Sequence, residues 1–404
     1  MENQIDSPVR KSFGGALRSP CNAPLLALGL AVGPVIALGF MRFAYALLLP
    51  AMKSDLDWSY ATAGGINTAN AAGYILGSAS GAWWARKFGS RRTYMWGIAI
   101  SALTLVASAM SGEFTYLAVV RFVGGVATAV LFVVGAALAS RIPTSSPGQS
   151  VKMVGIFMSG VGIGIVLSGI LVPVVLTWLG SPGWRVGWLV MGASAALALV
   201  PAGIASGRIQ PTGQRTGRTV SLAFLVPAFM WNLLYGAGYV SYMTFIIALL
   251  NAQGLSGWPV TIFFITLGLA SAASTLFLWA KIIDRLSSAR ALALVSLVVL
   301  LGVLPVLVGS GLTAALISGV IFGGAFMAGP TAAAVLAKRS LPPEARTSGI
   351  AAQTVAFSVG QGIGPVISGA LSDGSWGIAG GLWLSVVLIL GAGTAALFQR
   401  QSHG

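Results

Sequence analysis

Two arginines, Arg42 and Arg121, lie inside long apolar segments, where a charge is costly and therefore informative. A charged side chain near the centre of a bilayer costs about 2.5–3.5 kcal/mol on insertion scales, so it usually faces a wet cavity or a partner. A guanidinium group binds a carboxylate through two parallel hydrogen bonds, so an acidic residue would suit either arginine. The apolar segments contain none, because all eight acids fall in loops or tails: Glu2, Asp6, Asp55, Asp57, Glu113, Asp284, Glu344 and Asp373.

The missing carboxylate has two explanations. An anionic substrate could supply it, and this explanation is favoured for Arg42, which lies near the middle of its segment. Alternatively, the arginines could bond to backbone carbonyls or extend toward the outer surface. The second explanation is stronger for Arg121, which lies nearer the end of its segment. The sequence leaves both open.

Tyrosines with helical spacing accompany the arginines. Tyr235, Tyr239 and Tyr242 recur at i, i+4 and i+7 and share one helix face. Position 242 corresponds to position 42 in an internal repeat, so Tyr242 is expected opposite Arg42. An interfacial aromatic belt is the alternative for Tyr242. The predicted substrate-binding set is Arg42, Tyr45, Arg121, Tyr235, Tyr239, Tyr242 and the polar residue Gln361.

The composition points to a membrane protein. Of 404 residues, 56% are hydrophobic and 8% are charged, whereas soluble domains carry about 25% charged residues. The net charge of +15 comes from short basic clusters between apolar runs, so nucleic-acid binding is not expected. The chain has one cysteine, Cys21, which excludes an internal disulfide and a cysteine-based metal cluster. Its one histidine, His403, argues against a histidine-based metal site. We expect no cofactor, no enzymatic activity and no cleaved signal peptide.

Twelve apolar segments are long enough for membrane helices. With a cytoplasmic N-terminus, 19 of the 23 basic residues fall in cytoplasmic segments, and only Lys53 and Arg185 fall in outside loops. This bias predicts a multi-pass protein of the bacterial inner membrane with both termini cytoplasmic. The predicted segments are 25–50, 61–83, 94–110, 115–139, 153–178, 185–206, 221–250, 259–280, 291–309, 312–336, 348–372 and 376–399.

The chain repeats itself at a spacing of 200 residues. FMSGVGIGIVLSG at 157–169 matches FSVGQGIGPVISG at 357–369 in its glycines and several apolar residues. The repeat predicts an all-α membrane protein of twelve helices in two six-helix halves that are parallel repeats. The predicted parts are a tail at 1–24, a first half at 25–206, a linker at 207–220, a second half at 221–399 and a tail at 400–404.

The segment GAWWARKFGSRR, residues 81–92, resembles the loop signature of the major facilitator superfamily. In that signature an acidic residue precedes the first arginine, whereas Ala85 stands there in this chain. The matching loop of the second half keeps an Asp-Arg pair. Glycines let two helices approach closely, and charges at the helix ends can lock or release a gate. The predicted gating residues are Gly81, Arg86, Gly89, Arg91, Arg92, Asp284, Arg285 and Arg290.

Shorter stretches resemble the YbfB/YjiJ-type branch of this superfamily. They are GFMRFAY at 39–45, YGAGY at 235–239 and GQGIGP at 360–365. RFVGG at 121–125 also resembles the fourth-helix Arg-x-x-x-Gly motif of many proton-coupled members. The resemblance implies the superfamily fold, with helices one, four, seven and ten lining a central cavity.

The leading hypothesis is a secondary active transporter that moves a small organic anion, such as a carboxylate metabolite, by symport or antiport. A proton-coupled exporter of drugs or other hydrophobic compounds is the alternative, although the fifth segment lacks the Gly-Pro that such exporters usually carry. Energy coupling could use anion exchange, a proton carried by the substrate, or a relay through Asp55 and Asp57. The expected partners are a small anionic substrate and the lipid bilayer, and the chain is expected to be a monomer.

Overall fold

The computed structural model describes residues 23–144, 147–209, 223–341 and 346–399, and these ranges are almost entirely helical. Ten helices are long and apolar enough to cross a membrane. Two more helices, α2 and α3, are long but more polar, and α2 carries Asn67 and Asn70. In the described ranges the long helices are α1 Ala23–Asp55, α2 Tyr60–Phe88, α3 Ser90–Ala107, α4 Phe114–Ala139, α5 Pro147–Leu179, α6 Ser181–Gly207, α7 Val226–Ala252, α8 Trp258–Phe277, α9 Ser288–Val308, α10 Gly311–Ser340, α11 Arg346–Ser372 and α12 Gly377–Leu397.

Each of the twelve predicted segments overlaps one of these helices, so the predicted all-helical architecture is confirmed. The predicted linker lies mostly outside the described residues, as do almost all of the N-terminal tail and the whole C-terminal tail. The division of the chain at those boundaries therefore stays a prediction.

The helices have two chemically different ends. One end, which we call the acidic end, carries Asp55, Asp57, Glu113 and Asp373. The opposite end, the basic end, carries the clustered lysines and arginines of the loops, among them 86–92. At the acidic end Glu113 caps α4, accepting hydrogen bonds from the backbone N–H of Tyr116 at 2.5 Å and of Thr115 at 2.8 Å. These bonds lower the pKa of the Glu113 carboxyl.

The repeated glycines make equivalent helix contacts in the two halves. A Cβ atom on Gly160 would lie 2.2 Å from the carbonyl oxygen of Ala31, so α5 packs directly on the backbone of α1. A Cβ atom on Gly360 would lie 2.0 Å from the carbonyl oxygen of Leu233, and α11 packs on α7 in the same way. Small residues allow such close approach. The sequence repeat thus reflects a repeat in packing.

The halves meet along two helix pairs, α2 with α11 and α5 with α8. The first pair is joined near the acidic end by the Asp373 carboxylate, which accepts from the backbone N–H of Tyr60 at 2.8 Å and of Ala61 at 2.9 Å. Closer to the middle, Thr68 Oγ1 donates to the carbonyl of Gly362 at 2.5 Å. These contacts hold the halves together on the acidic side.

Candidate substrate site

A π-helical segment of α1 presents Arg42. Residues Val35–Phe43 form this segment, and the backbone N–H of Ala44 bonds to the carbonyl of Gly39, five residues back. Such segments are rare and are frequently found at functional sites. Gly39 faces the backbone of Gly164 on α5, where a Cβ atom would lie only 2.5 Å from the Gly164 Cα atom. The segment is therefore pressed against α5, and it places Arg42 where α1 meets α2 and α11.

The guanidinium of Arg42 contacts two other helices directly and is linked to a third through Gln361. Its Nη1 atom donates to Oε1 of Gln361 on α11 at 2.5 Å, and Gln361 in turn donates from Nε2 to the hydroxyl of Tyr239 on α7. The guanidinium carbon lies 5.1 Å from the ring centroid of Tyr74 on α2, a cation–π contact. Only 5% of Arg42 and 1% of Gln361 is exposed. Three predicted residues thus form one buried polar cluster, which we call the Arg42 cluster: Arg42, Tyr239 and Gln361, with Tyr74 added.

The positive charge of Arg42 has no carboxylate beside it in the described part of the chain. The ion pair that the described residues form joins Arg339 to Asp284 at 3.4 Å, and it lies at the basic end, away from Arg42. Gln361 offers a neutral oxygen and Tyr74 offers a ring face. A carboxylate can accept two parallel hydrogen bonds from a guanidinium and adds a charge–charge attraction, whereas the Gln361 amide accepts one bond and is neutral. The cluster can therefore bind an anion more strongly than it binds its own amide.

Arg121 occupies a separate place inside the first half. Its Nη2 atom donates to the carbonyl of Met41 at 2.5 Å, and its guanidinium carbon lies 5.3 Å from the ring of Tyr45 and 4.9 Å from that of Trp188. Only 1% of Arg121 is exposed. Of the two explanations that the sequence leaves open, the backbone carbonyl is the partner observed for this arginine. A substrate-binding role for Arg121 stays a prediction.

The other predicted tyrosines bond elsewhere. Tyr45 donates to the carbonyl of Ala63 at 2.7 Å, and Tyr235 donates to the carbonyl of Phe326 at 2.8 Å. The hydroxyl of Tyr242 bonds to Ser318 on α10, so the expected pairing of Tyr242 with Arg42 is wrong. Tyr239, one turn earlier, takes that position through Gln361.

Sequence reasoning missed three buried polar residues on α2. Asn67 Nδ2 donates to Thr244 Oγ1 on α7 at 2.7 Å, while its Oδ1 atom is buried without a partner. Asn70 donates to the carbonyl of Arg121 at 3.1 Å. Asn67, Asn70 and Tyr74 recur at i, i+3 and i+7 in an apolar helix, and this pattern is a signal that could have found them.

Two aromatic rings lie beside the cluster. Phe43 of α1 and Phe326 of α10 meet edge to face, with ring centroids 5.7 Å apart. Toward the basic end, Pro330 and Thr331 of α10 are exposed. A cavity of about 520 Å³ also opens at the acidic end between α1, α5, α7 and α8, but no predicted binding residue lines it. The Arg42 cluster, rather than this cavity, is therefore the candidate substrate site.

Comparison with known proteins identifies the family. The family model described as "Uncharacterised MFS-type transporter YbfB" matches residues 34–397. The chain belongs to this family. It is therefore a transporter of the major facilitator type and not an enzyme.

Individual relatives agree with this fold. A chloramphenicol resistance protein of Streptomyces lividans is 27% identical over 385 residues, which cover 91% of this chain and 93% of that protein. A mutant of the nucleoside transporter NupG has a TM-score of 0.73 at 14% identity, covering 92% of this chain and 98% of its own. A D-xylose–proton symporter has a TM-score of 0.72 at 15% identity, and the match covers 95% of this chain and 98% of the symporter.

The predicted gating residues of this major facilitator protein lie at the basic end. Gly89 joins α2 to α3 with φ +86°, a conformation that favours glycine. A Cβ atom on Gly81 would lie 3.5 Å from Val130, an ordinary contact with α4. The partner of Asp284 is Arg339, which also donates to the carbonyl of Leu286 at 2.6 Å. Arg86, Arg91, Arg92, Arg285 and Arg290 surround these positions, and their gating role stays a prediction.

Proposed function

We propose that this protein is a secondary active transporter that moves a small organic anion, of the carboxylate class, by alternating access between its two halves. The observation that carries the proposal is the buried Arg42 guanidinium, which has a neutral amide as its hydrogen-bonding partner. A buried cation is strongly disfavoured unless it is paired. The substrate would supply the charge that the described residues do not.

The position of the Arg42 cluster supports the same proposal. Its members come from α1, α2, α7 and α11, and therefore from both halves. Binding sites at the interface of two repeats, near the middle of the membrane, are the usual arrangement in secondary transporters. A ligand at Arg42 would touch both halves and could influence their relative movement.

The test is transport by the purified protein in proteoliposomes. The probes are acetate, lactate, benzoate and succinate, each compared with its neutral amide. We expect uptake or exchange of at least one carboxylate and none of its amide. Arg42→Ala should abolish transport at unchanged membrane abundance, and Arg42→Lys should restore little because the two-pronged geometry is lost. Normal carboxylate transport by Arg42→Ala would falsify the proposal.

Export of a hydrophobic compound is the second candidate, because a relative bears the name chloramphenicol resistance protein. Cells that lack their main drug exporters would be given the wild-type gene or Arg42→Ala and exposed to chloramphenicol. Increased tolerance with both genes would favour export through a site other than Arg42. Unchanged tolerance would leave the anion transporter as the supported function.

The orientation and energy coupling belong to the same proposal. We infer that the basic end faces the cytoplasm of a bacterial inner membrane, with both termini on that side, because of the bias of lysine and arginine. Reporter fusions at 213 and 404 should both give a cytoplasmic signal. Because no described membrane helix carries an acid at the depth of Arg42, coupling by anion exchange or by a proton on the substrate is favoured. We further propose that the transporter acts as a monomer.

A further inference from the structure

The amide of Gln361 is held in a defined orientation. A guanidinium group has only donors, so the amide must turn its oxygen toward Arg42. Its NH₂ group then faces Tyr239 and donates to the hydroxyl oxygen. The hydroxyl hydrogen of Tyr239 is left free to donate elsewhere. Gln361 therefore places an oxygen atom where one oxygen of a bound carboxylate would be expected.

We propose that Gln361 is an internal ligand, which occupies the anion site of Arg42 in the empty transporter and which the substrate must displace. This inference rests on the proposed function, since it assigns a competitor to the same site. It makes Gln361 a competitor that every ligand must displace from Arg42, rather than a simple contact with the substrate.

The exchange of ligands discriminates by charge. A carboxylate that replaces the amide exchanges one hydrogen bond to a neutral oxygen for a two-pronged bond between opposite charges. A neutral carbonyl compound would only exchange one neutral oxygen for another. Because Gln361 must be displaced first, the apparent affinity of every ligand is its intrinsic affinity multiplied by the fraction of molecules in which Arg42 is free. Only an anion recovers that loss.

The exchange also connects binding to the contact between the halves. Arg42 belongs to α1 and Gln361 to α11, so an anion at Arg42 removes one hydrogen bond between the halves. The neighbouring bond from Thr68 to the carbonyl of Gly362 also joins the halves but does not touch Arg42. Thr68 therefore offers a matched control that separates competition for Arg42 from a general loosening of the interface.

The experiment measures binding to the full-length protein in detergent by concentration-dependent thermal shift and by calorimetry. The probes are acetate, lactate, benzoate and succinate with their amides, and the variants are Gln361→Ala, Gln361→Glu and Thr68→Val. We expect Gln361→Ala to bind carboxylates about tenfold more tightly, and the amides should gain by a similar factor but remain weaker ligands than the carboxylates. Gln361→Glu should bind them at least tenfold more weakly, because it places a resident anion on Arg42. Thr68→Val should stay within about twofold of wild type.

Three results would overturn the inference. Weaker carboxylate binding by Gln361→Ala would make Gln361 an ordinary substrate ligand, and unchanged binding would make it a bystander. Equal tightening by Gln361→Ala and Thr68→Val would assign the effect to the interface. Failure of the proposed function looks different: Arg42→Ala would still bind carboxylates, or none of the four would bind to either wild type or Gln361→Ala.

Discussion

Arg42 and Arg121 carry the same charge on neighbouring helices, yet their surroundings assign them different roles. Arg121 is enclosed within the first half beside two stacked aromatic rings and bonds to the backbone of Met41, next to Arg42 in the chain. Arg42 lies where the halves meet and bonds to an amide from the other half. We therefore propose that Arg121 stabilises the π-helical segment and that Arg42 binds the ligand.

This difference predicts opposite effects on stability and transport. Arg121→Ala leaves a cavity beside the stacked rings of Tyr45 and Trp188 and an unpaired carbonyl at Met41, so it should cost about 2–4 kcal/mol of stability. Arg42→Ala removes a buried charge that no described carboxylate balances, and this gain offsets the lost bond to Gln361, so its stability should change by less than about 1 kcal/mol while transport is lost. Thermal unfolding followed by tryptophan fluorescence checks both. Equal unfolding midpoints for the two variants would contradict these assignments.

The sequence was informative about Arg42 but not about its partner. Arg42 is a charged residue in an apolar segment without acids, and this pattern predicts a site. The prediction holds for any membrane fold, because burying an unpaired charge in the bilayer is costly in all of them. The 200-residue repeat pairs position 242 with position 42 and therefore predicted Tyr242 opposite Arg42. That placement failed because the π-helical segment has more residues per turn than the uninterrupted α7, so the two helices fall out of register. No periodicity in α1 announces this segment.

At the scale of the element, α11 is the helix on which the site depends. Gly360 lies against the backbone of α7, whereas a Cβ atom on Gly362 would only make an ordinary contact at 3.6 Å with Ala71. These glycines flank Gln361, so they determine how far its amide reaches. The repeat predicted this tight packing from the sequence alone, because only glycine permits such an approach and the same glycines occur 200 residues earlier.

The contrast between the two glycines gives a matched pair of variants. Gly360→Ala must push α11 away from Leu233, since a Cβ atom would lie 2.0 Å from a carbonyl oxygen, and we expect a loss of about 2 kcal/mol or more together with impaired transport. Gly362→Ala should be tolerated, with activity within about twofold of wild type. The measurements are the unfolding midpoint and the initial transport rate. Similar behaviour of the two variants would show that α11 does not need this close contact.

At the scale of the whole molecule, the two ends of the helix bundle are held differently. At the acidic end Asp373, which belongs to the second half, caps the first turn of α2 in the first half, while a cavity opens there between α1, α5, α7 and α8. At the basic end Ala85 stands where the family signature has an acid, and Asp284 pairs with Arg339 within its own half. The described contacts at the acidic end thus hold α2 and α11 together, and we infer that they favour the state in which these two helices stay joined there.

The last prediction concerns this cap. Asp373→Ala removes two charge-assisted hydrogen bonds between the halves, and because a helix cap contributes about 1 kcal/mol, the population open at the acidic end should rise about fivefold. Spin labels on cysteines at Ser54 and Ser310, two exposed positions at that end, in a Cys21→Ser background would report the distance between the halves. Glu113→Ala is the matched control, because Glu113 caps a helix of its own half through the same kind of bonds. We expect a longer distance to appear in Asp373→Ala and not in Glu113→Ala. If both variants gave the same distribution, the cap would be stabilising α2 alone, and the closure of the acidic end would have to come from the packing of α2 on α11 and of α5 on α8.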